Sequence, residues 1–363
     1  MSLLGKTFLL SLKFAWLLTL CLISFSCTQK SLKPTTKSAL FFYYRAENNL
    51  KQNDFESALA NLDSAIIYNP QLANFYRVKG FVLEKLERPV DAIAVYEKGL
   101  EHYPSQPEIQ GKLGNLYLSV GDFANAAVHL KKASHAYPDS AAIHFQLGKA
   151  FYQMGDFAFA LNQFSAYQSL ITMPDSMFWK WEGLARFKAK NYPAAAAALE
   201  KYLTPGSNDV EAIKILGFAK FNIGDYDEAI SYLNRVEAFF KNDVEMYRYR
   251  AKYFLIYGKP DIAYEQLSNA IVIDSTNSDV WFELGEVDYH SGRYEQSRRR
   301  LNKVLLLDQE YWPAYRYLGF LAEKEHELEK AEAYYKKYLE HTFERDAEVV
   351  ERMEGIASKL RVK

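Results

Sequence analysis

Beyond residue 38 the order of small, bulky and polar positions along the chain repeats itself. Nine units begin at Ala39, Ala73, Pro107, Ala141, Ser176, Val210, Val244, Ser278 and Trp312, 34 residues apart except for one extra residue before Ser176. The eighth place of each unit is Ala46, Gly80, Gly114, Gly148, Gly183, Gly217, Ala251, Gly285 or Gly319, and the twentieth is alanine throughout except for Ser297. Two ladders of tiny side chains twelve residues apart predict two helices whose backbones cross closely, with no room for a larger group. Four places after the second ladder stand Leu62, Tyr96, Leu130, Phe164, Leu199, Leu233, Leu267, Leu301 and Tyr335. These bulky groups, one helical turn on, fill the joint.

The segment between the ladders reads as a tight turn, written Asn53-Asp54-Phe55, Gly121-Asp122-Phe123, Gly155-Asp156-Phe157 and Gly224-Asp225-Tyr226. Glycine suits the left-handed residue that ends one helix, and aspartate caps the next by accepting from its free N–H groups. Pro89, Pro193 and Pro260 occupy the same joint elsewhere, where a proline in the first helical turn costs little. Each unit is therefore expected to be a helix, a turn and a second helix.

This pattern resembles the tetratricopeptide repeat (TPR), written Trp-x2-Leu-Gly-x2-Tyr, then Ala-x3-Phe, then Pro. The third unit matches with Leu113-Gly114, Tyr117, Ala126, Leu130 and Pro138, and the eighth with Trp281, Leu284-Gly285 and Leu301. The resemblance implies an all-α fold, a right-handed α-solenoid of about nine repeats over residues 39–344. The closing proline is lost after the third unit, and the extra residue near Ile171-Thr172-Met173-Pro174 breaks the regularity between the fourth and fifth. Residues 345–363 carry Val349, Val350, Met353, Ile356 and Leu360 at helical spacing. One oily stripe at the end of a solenoid predicts a capping helix that covers the last repeat.

Ahead of the repeats, residues 1–26 combine Lys6 and Lys13 with an apolar run over residues 14–25 and a small residue, Ser26, before Cys27. That is the layout of an export signal, and the run is too short to cross a bilayer comfortably. It resembles a bacterial lipoprotein signal, although Ser24 stands where that family usually has leucine. The resemblance implies that Cys27 becomes the lipidated N-terminus. Ordinary cleavage would instead leave a soluble exported protein, and no cleavage an anchored one. Residues 27–38 read as a polar tether, with little to bury. The expected location is a bacterial cell envelope, lipid-anchored at the outer membrane and facing the periplasm.

Composition narrows the function. Hydrophobic residues make up 49% and charged residues 25% of 363, values of a globular chain, and 44 basic against 45 acidic residues give no general pull toward nucleic acid. The two cysteines, Cys21 and Cys27, both lie in or at the leader, so a cleaved chain could form no internal disulfide. The sequence has no glycine-rich phosphate loop, cysteine pair for zinc or His-Glu-x-x-His, and its seven histidines are scattered. No catalytic or metal site and no cofactor is expected.

The family resemblance places the first helix of every unit on a concave wall. The places expected to face it hold Tyr43, Tyr44, Phe81, Phe145, Tyr152, Trp181, Phe187, Phe218, Phe221, Tyr249, Phe282, Tyr289, Tyr317 and Phe320. Aromatics give large contact area at small entropic cost, which suits capture of an extended peptide or a helix; each could equally pack between neighbouring helices. Lys180, Lys214 and Arg248 recur at the repeat length and form a basic ladder that would repel itself unless screened or met by an anion. Glu211 and Glu245, three residues before Lys214 and Arg248, offer pairs within each helix. The candidate binding residues are thus Trp181, Phe218, Phe221, Tyr249, Lys180, Lys214 and Arg248, with an acidic partner steered by the bases. Arg298-Arg299-Arg300 falls on a second helix and is expected to face solvent. The resulting expectation is a non-enzymatic scaffold, tethered to the membrane through lipid, that holds partner proteins or peptides in its groove. Similar lipoproteins assist assembly of outer-membrane or secretion machinery. The alternative is a glycan-binding module that stacks sugars on the aromatic wall.

Overall fold

The computed structural model describes residues 36–342 and 346–361; the leader, Cys27 and most of the tether lie outside the described residues. Nineteen α-helices and no strand occur among the described residues. The chain forms two compact bodies that divide between Thr172 and Met173, at the extra residue that interrupts the repeat. In the N-terminal body lie α1 (Thr36–Lys51), α2 (Phe55–Tyr68), α3 (Ala73–Lys85), α4 (Pro89–His102), α5 (Pro107–Ser119), α6 (Phe123–Ala136), α7 (Ala141–Gln153) and α8 (Phe157–Leu170). The C-terminal body begins with α9 (Ser176–Lys188), α10 (Tyr192–Tyr202), α11 (Val210–Ile223), α12 (Tyr226–Val236), α13 (Val244–Ile256) and α14 (Pro260–Ile273). It ends with α15 (Ser278–His290), α16 (Tyr294–Leu307), α17 (Trp312–Lys324), α18 (Leu328–Leu339) and α19 (Ala347–Arg361).

From α3 onward each first helix starts at the first residue of its unit. Only α1 differs: it starts at Thr36, so the last residues assigned to the tether are helical. Helices pair within each unit, and inside each body the second helix of one unit packs on the first helix of the next. First helices of successive units also meet, as α5 with α7, α9 with α11 and α15 with α17.

The crossing inside each unit is set by the eighth and twenty-fourth places. A Cβ added to Gly148 would run into the Phe164 ring, and one added to Gly217 would stand 2.7 Å from Leu233 Cδ2. Ser297, the single serine in the alanine ladder, is fully buried and donates to the Gly285 carbonyl at 2.8 Å, so its hydroxyl carries no desolvation penalty.

Every turn inside a unit contains one left-handed residue. Glycines 121, 155, 224, 258 and 292 take it in five units, but Asn53, Glu87, Lys190 and His326 take it in the others, with φ from 57° to 62°. In those four the Schellman-like end of the first helix is held against a cost of about 1 kcal/mol or more for a side chain in that region. The expected aspartate caps are present at Asp54, Asp122 and Asp156, which accept from the amides three residues on at 3.1, 3.1 and 3.2 Å. Asp225 departs from the expectation and makes no cap bond; its carboxylate lies 3.5 Å from Lys220 Nζ instead.

At the C-terminus Val349 and Ile356 of α19 are buried in the core that contains Leu318, Leu321 and Tyr335. The helix therefore covers the last repeat as a cap does. The arginine run is not a solvated face: Arg299 points outward with its side chain 77% exposed, whereas Arg300 Nε lies 2.6 Å from the buried Asp288 carboxylate and Arg298 pairs with Glu325. A carboxylate inside α15 draws the neighbouring arginine inward, because an unpaired charge there would cost several kcal/mol.

The crossing yields a prediction. Gly148→Leu and Gly217→Leu should each destabilise by about 1–3 kcal/mol or more through overpacking, while Arg299→Leu stays within roughly 0.5 kcal/mol. Thermal or urea unfolding of the three full-length variants separates these outcomes.

Candidate functional site

The basic ladder of α9, α11 and α13 is answered by carboxylates of its own chain. Lys180 Nζ donates to Asp209 Oδ2 at 2.5 Å, and Lys214 Nζ donates to Asp243 Oδ2 at 2.9 Å. Asp209 and Asp243 are also the residues that cap α11 and α13, accepting from the Ala212 and Met246 amides at 3.1 Å each. One carboxylate thus starts the first helix of a unit and holds the first helix of the unit before it. Asp209 accepts a further bond from Tyr202 at 2.8 Å. Asp346 repeats the device at the end of the body, capping α19 at the Val349 amide while accepting from Arg316 at 2.8 Å.

Arg248 lacks such an aspartate, because Asn277 caps α15. It forks onto Glu283, 2.8 Å from Nη2, and reaches Glu245 and Asp279 at 2.6 and 3.1 Å. The pairs expected within helices also form, Glu211 with Lys214 at 3.0 Å and Glu245 with Arg248. The expectation of a free basic ladder that steers an acidic partner is therefore corrected: the charges are met internally and tie repeats together. The signal was legible, since Asp209 and Asp243 each stand 29 residues after their base and just before a unit begins.

Burial works to raise the Asp209 carboxyl, but the Lys180 ammonium, the Ala212 amide and the Tyr202 hydroxyl together hold it below the usual carboxylate range. Burial likewise opposes, and the Val349 amide and Arg316 outweigh, the same shift at Asp346.

The aromatic residues divide into two sets. Tyr43, Phe218, Tyr317 and Phe320 are buried and belong to the packing between helices, which corrects their assignment to an open wall. Around Phe218 the C-terminal body keeps a cleft of about 430 Å³ lined by Phe187, Lys188, Lys190, Tyr192, Glu211, Lys214, Ile215, Phe218, Asp243, Glu245 and Tyr249. Two of its rings stack: Phe218 and Tyr249 are nearly parallel with centroids 4.2 Å apart, and the Phe187 ring lies tilted beside Phe218 at 6.3 Å. Tyr249 is fixed by a bond donated to its hydroxyl by Asn222 at 2.7 Å, and Phe221 meets it edge-on at 5.2 Å. Of the residues proposed from sequence, Phe218, Tyr249 and Lys214 line this cleft; Phe221 touches Tyr249 without lining it. Trp181, Lys180 and Arg248 do not line it, and Trp181 is half-buried on α9. Phe187, expected on the wall although not chosen as a binding candidate, belongs to the cleft, and Tyr192, at the start of α10, was missed because only first helices were considered. The cleft rim carries both signs, with exposed Lys188 and Lys190 facing a set that includes exposed Glu211 and Glu245.

Among the described residues no group of three or more histidines, cysteines or acids could hold a metal ion, and no helix is long and apolar enough to cross a membrane.

With paired helices, close crossings and a capped end established, the chain is a tetratricopeptide solenoid. Family models described as TPR repeat and tetratricopeptide repeat match residues 114–155, 254–323, and 45–107 with 145–210. Together they span more than half of the chain, which belongs to the tetratricopeptide repeat family. Among curated proteins it is similar to human DnaJ homolog subfamily C member 3, 26% identical over 105 residues, 29% of this chain and 21% of that protein. The chicken protein of the same name is 23% identical over 128 residues, 35% of this chain and 25% of that one. The chain thus matches a quarter or less of these relatives' length. Similar solved structures include a tetratricopeptide repeat protein from Parabacteroides merdae, at 14% identity and TM-score 0.45, covering 69% of this chain and 99% of that one. Pseudomonas aeruginosa pilF is similar at 18% identity and TM-score 0.45, over 60% of this chain and 98% of that one. A repeat scaffold of this family is typical of protein–protein interaction.

The shared carboxylate predicts how stability responds to pH. A depressed folded value means that Asp209 and Asp346 contribute fully above their unfolded range near pH 4, and that the contribution is lost as pH falls through the lower folded values. Asp209→Ala should lower stability by about 2 kcal/mol at pH 7, combining a lost cap with a lost ion pair. Its unfolding free energy should also fall less steeply than the wild type's below about pH 4. Urea melts at pH 7 and at low pH test both points; parallel acid profiles would refute the linkage.

Proposed function

We propose that this chain is a non-enzymatic scaffold of a bacterial cell envelope, anchored by lipid on Cys27, that holds a segment of a partner protein in the cleft formed by α9, α11 and α13. The observation that carries the reading is the stacked pair Phe218 and Tyr249, with Phe187 tilted beside it, in an open cleft whose lining has both charges. Such rings offer apolar area without the entropy of flexible side chains, and a mixed rim offers hydrogen bonds to a peptide backbone and to side chains of either sign. An apolar side chain of the partner would fill the cleft while polar groups bind the rim. Placement at the outer membrane, facing the periplasm, follows the resemblance of the leader to a lipoprotein signal.

Capture tests the cleft. Crosslinking in cells, followed by identification of what is bound, should return a protein partner; Tyr249→Ala and Phe187→Ala should reduce its recovery several-fold with helix content nearly unchanged. Loss of helix signal would assign the stack to packing alone, and binding on a glycan array without protein capture would replace the reading. The anchor is tested separately: an alkyne fatty acid should label the wild type and not Cys27→Ser, and equal labelling of both would reject lipidation.

A further inference from the structure

The first helix of the N-terminal body is unlike the other first helices. Helix α1 buries Ala39, Tyr43 and Ala46 against its neighbours, and its opposite side carries Lys37, Phe41, Tyr44, Arg45, Asn48 and Lys51, all exposed. Phe41 is 58% and Tyr44 62% exposed, three residues apart on one face. The Arg45 guanidinium lies 5.7 Å over the Phe41 ring, so base and aromatic share one patch. The helix has a single acid, the half-buried Glu47.

The charge of the adjoining segment has the same sign. From Cys27 to Lys51 the sequence has Lys30, Lys33, Lys37, Arg45 and Lys51 against Glu47 alone, while the chain as a whole has a net charge of −1. Only residues 28–35 separate Cys27 from the start of α1. At no more than about 3.6 Å per residue, that length keeps the start of α1 within roughly 35 Å of Cys27 in any conformation.

We propose that the exposed side of α1 docks on the surface of the bilayer that holds the lipid of Cys27, with Phe41 and Tyr44 in the interface and Lys37, Arg45 and Lys51 against anionic headgroups. The inference rests on the lipid-anchored reading of Cys27. Aromatic rings with one apolar side suit the headgroup level, and bases near an anionic surface are drawn to it over about a Debye length. A short tether raises the local concentration of the bilayer at α1, so a patch too weak to bind alone becomes occupied. The commitment is to a membrane: a face that carries three bases, Lys37, Arg45 and Lys51, and no exposed acid would repel a second copy of itself across a symmetric contact.

The test uses the full lipidated chain reconstituted into vesicles of phosphatidylcholine with about 30% phosphatidylglycerol, which supplies an anionic surface, and into phosphatidylcholine alone. Phe41→Cys labelled with an environment-sensitive fluorophore should be quenched several-fold more by spin-labelled lipid in the anionic vesicles than in the neutral ones. A label on Val128→Cys, exposed on α6, should not be. Lys37→Glu with Arg45→Glu should abolish the quenching while the protein still floats with the vesicles. Flotation reads the anchor and quenching reads the docking. Protein that fails to float overturns the anchor reading; protein that floats without quenching at position 41 overturns the docking alone. A disulfide between two copies at Phe41→Cys would overturn it in favour of a second copy on that face.

Discussion

Every unit of this solenoid depends on one constraint, the approach of two helix backbones at a place with no room for more than a methyl group. The residue sixteen positions later supplies the bulk that fills the joint, so the small place and the large place must be set together. Where that bulk is tyrosine, a further requirement appears. Tyr96 and Tyr335 are fully buried, and each donates its hydroxyl to a glutamate twelve residues earlier, Glu84 at 2.5 Å and Glu323 at 3.0 Å. In the other seven units the corresponding place is leucine, tyrosine or phenylalanine. An acid stands there only where a phenol must be satisfied, because a buried hydroxyl without an acceptor would cost more than the ring's burial adds over leucine.

A second layer joins the units. Within a unit the contact is apolar and nearly uniform, which makes the units interchangeable; between units the shared apolar core is supplemented by charged partners that are particular to their positions. Lys180 with Asp209 and Lys214 with Asp243 place a base on one first helix against the residue that begins the next. A cap is already negative and already fixed by the helix it starts, so pairing it orders little additional chain. That economy explains why the same geometry recurs at Asp346, where the body ends in a capping helix instead of another repeat.

The fold was readable because its determinants are local and repeated nine times. Period, ladders and turn chemistry fixed the helices to within a few residues, and α1 alone starts earlier than its unit. What escaped was set by partners distant in sequence. Arg298 and Arg300 lie on a second helix and looked solvated, yet the buried Asp288 draws Arg300 inward and Glu325 pairs with Arg298. Glu87, Lys190 and His326 carry a left-handed backbone that the pattern of glycines did not announce, because the helix pair on either side dictates it. For the site, sequence identified the right helices but not the depth of each ring: Phe218 and Tyr249 sit at the same place of neighbouring helices less one turn, and only packing shows that they stack.

The same division bears on where a partner can bind. A residue that closes the crossing or pairs two repeats is already engaged in the scaffold, and changing it alters the scaffold before it alters recognition. This removes Lys180, Lys214 and Arg248 as recognition charges, although they were the most regular polar feature of the sequence. Recognition is left to side chains that the repeat does not need, such as Phe187 and Tyr192 in the cleft and the exposed bases Lys188 and Lys190 among its lining. In a repeat protein the irregular positions are free to carry specificity, since the regular ones are already committed to holding the helices together.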